Sequence, residues 1–117
     1  MKSSSLKCTK CGFLGEKRGG IWHLLYISNN ESHVSKKSYE NLHQEASAMA
    51  KDGSYEVLGA FSRGNDTLDI ASGQGFIEKF SPETFALDFS LNALQKSKKK
   101  GAKNLVLASA EALPFKN

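Results

Sequence analysis

The sequence predicts an α/β fold with a parallel sheet, and three features carry that expectation. Apolar, β-prone runs stand at residues 67–71, 84–88 and 104–108, separated by segments of helix length. A β-α-β-α-β order of this kind lays parallel strands side by side through right-handed crossovers. The first run breaks directly into the glycine turn "ASGQG", and the segment after the second carries a complete set of helix start and stop signals.

Taken from the N-terminus, residues 1–27 form a Cys-containing knuckle: polar and basic around Cys8 and Cys11, then the glycine turn and strand-length apolar run "GGIWHLLYI". Residues 28–53 hold a polar linker, up to Lys37, and an amphipathic helix whose Tyr39, Leu42, Ala46 and Met49 share one face until "KDG" stops it. Residues 54–117 form the third unit. It opens with a short helix, Tyr55, Leu58 and Phe61 on one side, closing at Arg63-Gly64. A strand at 67–71 follows, then the glycine turn, a helix at about 74–80, a strand at 84–88, a helix at 90–100 and a strand at 104–108. The helix at 90–100 is the best signalled. Ser90 can cap its N-terminus, Leu91 and Leu94 share a face, lysines crowd its negative end, and Gly101 supplies a left-handed stop.

Composition narrows the functional classes. The 117 residues are 39% hydrophobic and 24% charged, ordinary for one globular domain, and the net charge of +4 is compatible with nucleic acid without requiring it. No apolar run approaches the roughly 18 residues that span a bilayer, and "MKSSSLKC" lacks the apolar stretch of a signal peptide. A cytoplasmic protein with no membrane partner is expected.

Ligands of parallel sheets bind beyond the carboxyl ends of the strands, where a glycine turn lets them approach backbone N–H groups. A dinucleotide site asks for G-x-G-x-x-G, yet Glu78 stands where the third glycine belongs. Asp69, just before the turn, would repel a pyrophosphate and attract an ammonium or sulfonium group. Asp88 ends the next strand, a position from which a carboxylate can accept both hydroxyls of a ribose. The pair describes a site for a cationic nucleoside. The plainer reading is a tight βα turn with Asp69 as a turn residue and Asp88-Phe89-Ser90 starting a helix; joint placement at two adjacent strand ends favours the ligand.

The segments "LDIASGQG", "ALDFSLNAL" and "ASAEALPF", in this order, resemble the first three motifs of class I S-adenosylmethionine-dependent methyltransferases. The resemblance covers about residues 54–117 and implies an incomplete Rossmann-like sheet, about three of the family's seven strands, with S-adenosylmethionine as cofactor. In the family's acid-x-Gly-x-Gly-x-Gly motif, Asp69, Gly73 and Gly75 match, and Ala71 replaces the first glycine. The family's second acid matches Asp88, followed by Phe89. Ser109 stands where an Asp takes the adenine amino group, followed by Ala110, Glu111, Leu113, Pro114 and Phe115. Ala71 is tolerable if its φ is negative. Both departures imply weaker binding of the same cofactor. The resemblance also implies that segments supplying the acceptor pocket lie beyond Asn117, so no catalytic residue is assigned. The expectation is a truncated portion of an enzyme acting on a small molecule or ribosomal RNA, with strand 67–71 offering an edge for self-association.

"CTKCG" has the shape of a zinc-ribbon knuckle, in which one turn presents two thiolates to a metal. Two readings stand: zinc on Cys8 and Cys11 completed by His23 and His33, or a degenerate knuckle without metal. His43 is the remaining imidazole, and a redox pair fits least because no thioredoxin-like strand-to-helix context surrounds the cysteines. Trp22 reads first as packing against the knuckle; the alternative is that Lys7, Lys10, Lys17, Arg18 and Trp22 together touch RNA, which makes a non-catalytic RNA- or protein-binding module the rival function. The lysines at 96–100 read as a solvated helix end.

Overall fold

A computed structural model describes residues 5–25 and 51–115. The helix expected over Tyr39–Met49, the linker before it, and His33 and His43 lie outside the described residues. Six strands form one mixed sheet, with two helices, an α/β architecture. The strands are β1 (Ser5–Lys7), β2 (Leu14–Arg18), β3 (Ile21–His23), β4 (Leu68–Ile70), β5 (Phe85–Asp88) and β6 (Asn104–Leu107), in the spatial order β1-β2-β3-β6-β5-β4. Helix α1 (Ser54–Ser62) precedes β4, and α2 (Leu91–Lys99) connects β5 to β6.

The sheet joins two kinds of pairing. β1, β2 and β3 are an antiparallel meander. Its second turn is Gly19-Gly20, with φ of +58° and +79°, the doubly left-handed geometry that matches strand twist in a two-residue hairpin. β3, β6, β5 and β4 pair in parallel, Ile21 beside Leu105, Ala86 beside Leu105, and Asp69 beside Ala86. The Cys-bearing hairpin therefore continues the sheet through β3 and β6, a pairing that no local pattern in residues 1–27 announces. β4 ends the strand order among the described residues.

Helix α2 covers one face of the sheet. It buries Ala93, Leu94 and Ser97, and Leu94 packs in the core with Ile21, Ala86, Ala102, Leu105 and Leu107. Each fully buried leucine contributes about 2 kcal/mol of hydrophobic stabilisation. Its ends are held as the sequence predicts: Ser90 Oγ accepts the Ala93 N–H at 3.1 Å, and Gly101 follows the helix with φ +106°. The opposite face holds Leu87, Val106 and Ala108 with Trp22, Leu24 and Leu68.

Two expectations are corrected. Residues 74–80 form consecutive turns rather than a helix. Gly73 and Gly75 enter the segment at φ +62° and +85°, and the bonds from Lys79 N–H to the Gly75 carbonyl and from Ser81 N–H to the Ile77 carbonyl do not propagate into a regular ladder. Helix α1 also buries a stripe rotated from the one its apolar periodicity predicts, keeping Tyr55 half-buried and turning Leu58 and Phe61 outward. Gly59 and Ser62 are buried, while Leu58 is exposed and Phe61 is 77% exposed. The cause is close approach: a Cβ on Gly59 would stand 2.5 Å from Phe80 Cβ, so the helix packs through its bare backbone. No helix among the described residues is long and apolar enough to cross a membrane.

Candidate functional site

The glycine turn leaves the carboxyl end of β4 and is tied to β5 at once, the Ser72 N–H donating to the Leu87 carbonyl at 3.0 Å. Asp88 completes the tie. Its Oδ2 accepts the Gly73 N–H at 2.8 Å and its Oδ1 accepts the Ser90 N–H at 2.9 Å, with the residue 1% exposed. One carboxylate thereby holds the turn and the approach to α2 together. From the α2 side, Lys100 Nζ donates to the Gln74 carbonyl at 2.9 Å and stands 5.3 Å from the Phe76 ring centre. Burial and the charges of Lys96 and Lys79 lower the Lys100 pKa.

Above this turn lies a cavity of 220 Å³ lined by Tyr55, Asp69, Ala71, Ser72, Gly73, Gln74, Phe76 and Ile77. Tyr55 and Phe76 meet edge to face at 5.1 Å and form its aromatic wall. Gly73 would meet nothing within 4 Å if it carried a Cβ, so its bare backbone opens on free space. Of the two carboxylates that sequence singled out, Asp69 lines the cavity, whereas Asp88 stands beneath the turn with its oxygens on backbone donors. Gly75 is drawn away from the cavity against α2. Phe89 follows Asp88 at the β5 exit. Ser109 and Ala110 follow β6, where Ser109 Oγ accepts the Glu111 N–H at 3.2 Å.

Ala71 has φ +60°, the left-handed region where a side chain costs about 1–2 kcal/mol, so the negative φ that would make it harmless is not adopted. Ala71→Gly removes that strain and adds backbone entropy to the unfolded chain. The balance is an expected gain of about 0.5–1 kcal/mol, read as a higher urea midpoint.

Sequence reasoning missed Glu78 as a functional group. It is 0% exposed, and among the described residues neither carboxyl oxygen has a partner at good hydrogen-bond geometry; the polar groups that act on it are the Asp69 carboxyl and its own backbone N–H. Burial, then the hydrogen bond and charge of Asp69, push its pKa up to about 8. Burial likewise raises Asp69, helped by the Asp88 charge and opposed by the hydrogen bond from Glu78. The available signal was an acid directly after Phe76 and Ile77 in "GFIEKF". Ser72 Oγ, Gln74 Nε2 and Ser97 Oγ are also buried without a partner. These unsatisfied groups gather at the glycine turn, which is where a polar ligand or bound water would be accommodated.

The Glu78 pKa has a consequence for stability. The folded protein keeps a proton that the unfolded chain gives up from pH 4.5, so stability is full below that value and is lost as pH rises through about 8. The loss is at most on the order of 5 kcal/mol. A thermal melt series should show Tm falling between pH 5 and 9, and Glu78→Gln should flatten that slope.

On the far side of the molecule, Cys8 and Cys11 share the exposed β1–β2 turn, closed by the Gly12 N–H to the Cys8 carbonyl at 3.0 Å. Backbone N–H groups of Cys11 and Lys10, with the Cys11 side chain, lower the Cys8 thiol pKa. Among the described residues no three His, Cys, Asp or Glu side chains gather as metal ligands. His23 lines a second cavity instead, a 710 Å³ groove between the β2–β3 hairpin and α2, with Arg18, Lys98 and Lys99 on its walls and Ile21 and Leu91 among its lining. Lys98 Nζ reaches across it to the Gly19 carbonyl at 2.5 Å.

The fold and site together define an α/β protein with a glycine turn and an acidic cavity at a parallel strand end. No protein-family model and no curated protein matches the sequence.

Proposed function

We propose that this chain is the S-adenosylmethionine-binding portion of a class I methyltransferase with an incomplete Rossmann-like sheet. The observation that carries the reading is the half-buried Asp69 carboxylate beside Gly73, whose missing side chain leaves open space, at the carboxyl end of β4, in a cavity edged by unsatisfied polar groups. A cavity of 220 Å³ is below the roughly 300 Å³ at which small-molecule sites begin, and suits the amino-acid end of such a ligand. Asp69 would hold its ammonium group, with Tyr55 and Phe76 excluding water from the adjoining sulfonium. Asp88 shapes the loop, and a ribose hydroxyl reaches it only by displacing the Gly73 or Ser90 N–H. Phe89, Ser109 and Ala110, after β5 and β6, are left for the adenosine end.

The cofactor supplies an activated methyl group. The protein's part is alignment and desolvation. The acceptor in this reading is a small molecule or ribosomal RNA, and the outer edge of β4 serves self-association, which sedimentation would register as a dimer. Cys8 and Cys11 offer two thiolates for zinc.

Calorimetry with S-adenosylmethionine and its demethylated product tests the reading. Saturable binding that is weakened at least about tenfold by Asp69→Asn is expected, equivalent to the loss of one charge-assisted bond. Absence of binding to protein shown folded by a cooperative melt overturns it.

A specific observation favours the second reading, an RNA-binding module. Arg18, Lys98 and Lys99 face one groove, and Lys17 Nζ stands 5.9 Å from the Trp22 ring on the hairpin's other face. Fluorescence anisotropy with a short single-stranded RNA should then show affinity that falls steeply with salt and drops on Arg18→Ala with Lys99→Ala.

A further inference from the structure

Glu78 is wholly buried in the turns after β4, and among the described residues its carboxyl oxygens have no partner at good hydrogen-bond geometry, its own backbone N–H lending partial support. Its polar neighbour is another carboxyl, Asp69, which lines the cavity. Two carboxylates cannot hydrogen-bond unless one carries a proton, and burying two adjacent negative charges is far costlier than burying one.

The other charges around the pair offer no relief. Asp88, from β5, adds a third negative charge acting on both. The nearby cations are committed elsewhere. Arg63, after α1, donates to the Phe80 carbonyl at 2.7 Å, Lys79 stands 5.7 Å from the Phe80 ring centre, and Lys100, after α2, is on the Gln74 carbonyl. What the pair lacks is a positive charge delivered through the cavity.

We propose that Asp69 and Glu78 hold one proton between them, and that a cationic ligand entering at Asp69 expels it to solvent, coupling ligand uptake to proton release. Glu78 is then a positioning residue: its O–H keeps the Asp69 carboxylate in place while the site is empty, and its ionisation strengthens the site when the cation arrives. The proposal rests on the reading that this cavity takes a cation, and it adds a selectivity for ammonium-bearing ligands over neutral analogues that grows with pH.

The test is calorimetry of S-adenosylmethionine binding at several pH values, each in buffers of different ionisation enthalpy, for the natural chain and for Glu78→Gln. The amide of the variant still donates to Asp69 but does not titrate. The ligand's own amino group titrates in a similar range, yet it is common to both proteins, so the difference between them is the readout.

The expected result is an extra proton released per ligand, up to one, by the natural chain. Its affinity should rise relative to the variant by up to about tenfold per pH unit as pH 8 is approached from below. Equal proton release by the two proteins overturns the coupling while leaving the ligand reading intact. Absence of binding by the folded natural chain overturns both. If Glu78→Gln does not fold, carboxyl carbon NMR titration of the natural chain decides the matter. Glu78 titrating near 4.5 when ligand-free sinks the shared proton, and titration near 8 that falls on saturation with ligand supports it.

Discussion

Asp88→Ala is expected to destabilise the protein by about 3–4 kcal/mol, among the larger single-residue effects in the chain. The carboxylate is 1% exposed and accepts the Gly73 and Ser90 N–H groups at 2.8 and 2.9 Å. Hydrogen bonds to a charged partner contribute about 1.5–3 kcal/mol each, and the alanine leaves both donors without their acceptor. The damage falls on two elements at once, because Gly73 belongs to the turn after β4 and Ser90 is the cap of α2. Urea unfolding should show a lower midpoint with little change in slope, and amide exchange should accelerate at Gly73 and Ser90. Asp88→Asn keeps an acceptor oxygen for one donor and turns an amide NH2 toward the other, so an intermediate loss is expected. A surface-like loss below about 0.5 kcal/mol would mean that the carboxylate does not hold the turn.

Gly75→Ala is expected to cost about 2–5 kcal/mol. The residue has φ +85°, where a side chain is strained by about 1–2 kcal/mol. An added Cβ would also stand 2.3 Å from Ser97 Oγ and 2.8 Å from Ser97 Cα, so it meets helix backbone and not the yielding end of a long side chain. Overpacking of this kind costs about 1–3 kcal/mol more. The double variant Gly75→Ala with Ser97→Gly should recover part of the overpacking loss and none of the backbone strain, measurable as a non-additive pair in urea unfolding. Gly73→Ala provides the contrast: its φ is also positive at +62°, but nothing stands within 4 Å of its Cβ, so only the strain is expected. The two glycines thus divide the work of the turn, Gly75 for contact with α2 and Gly73 for an open backbone facing the cavity.

Much of the parallel part of the sheet was legible. The runs at 67–71, 84–88 and 104–108 became β4, β5 and β6 with their ends trimmed by one or two residues, and the helix at 90–100 became α2 with Ser90 and Gly101 at its ends. These signals are local. A strand reports itself through neighbouring apolar residues, and a cap through an oxygen three residues from the N–H it accepts. The errors came where a local preference met a neighbour from elsewhere in the chain. Tyr55, Leu58 and Phe61 have helical spacing, yet α1 turns Gly59 and Ser62 inward because Phe80 lies against Gly59. The order of elements suggests a helix at about 74–80, but that segment begins from two left-handed glycines tied to α2 and β5.

The candidate site divides in the same way. Asp69, Gly73 and the ligand end of β4 could be read from residue order, since an acid before a glycine turn at a strand end is a one-dimensional pattern. Asp88 was recognised as special, but its direction was not, because which donors surround a carboxylate depends on the loop that folds over it. The pairing of Glu78 with Asp69 had no signal of its own. Nine positions separate them in the chain, and only the closure of the turn onto β4 makes them neighbours.

The order of residues was therefore sufficient for the parallel strands, the capped helix and the acid-plus-glycine chemistry, all of which follow from backbone and side-chain preferences acting within a few positions. Tertiary structure alone decided that the Cys hairpin extends the sheet, that Asp88 supports the loop from below, and that Asp69 shares its burial with a second carboxyl. Those outcomes depend on which surfaces exclude water together, a property of the closed fold that no single segment possesses.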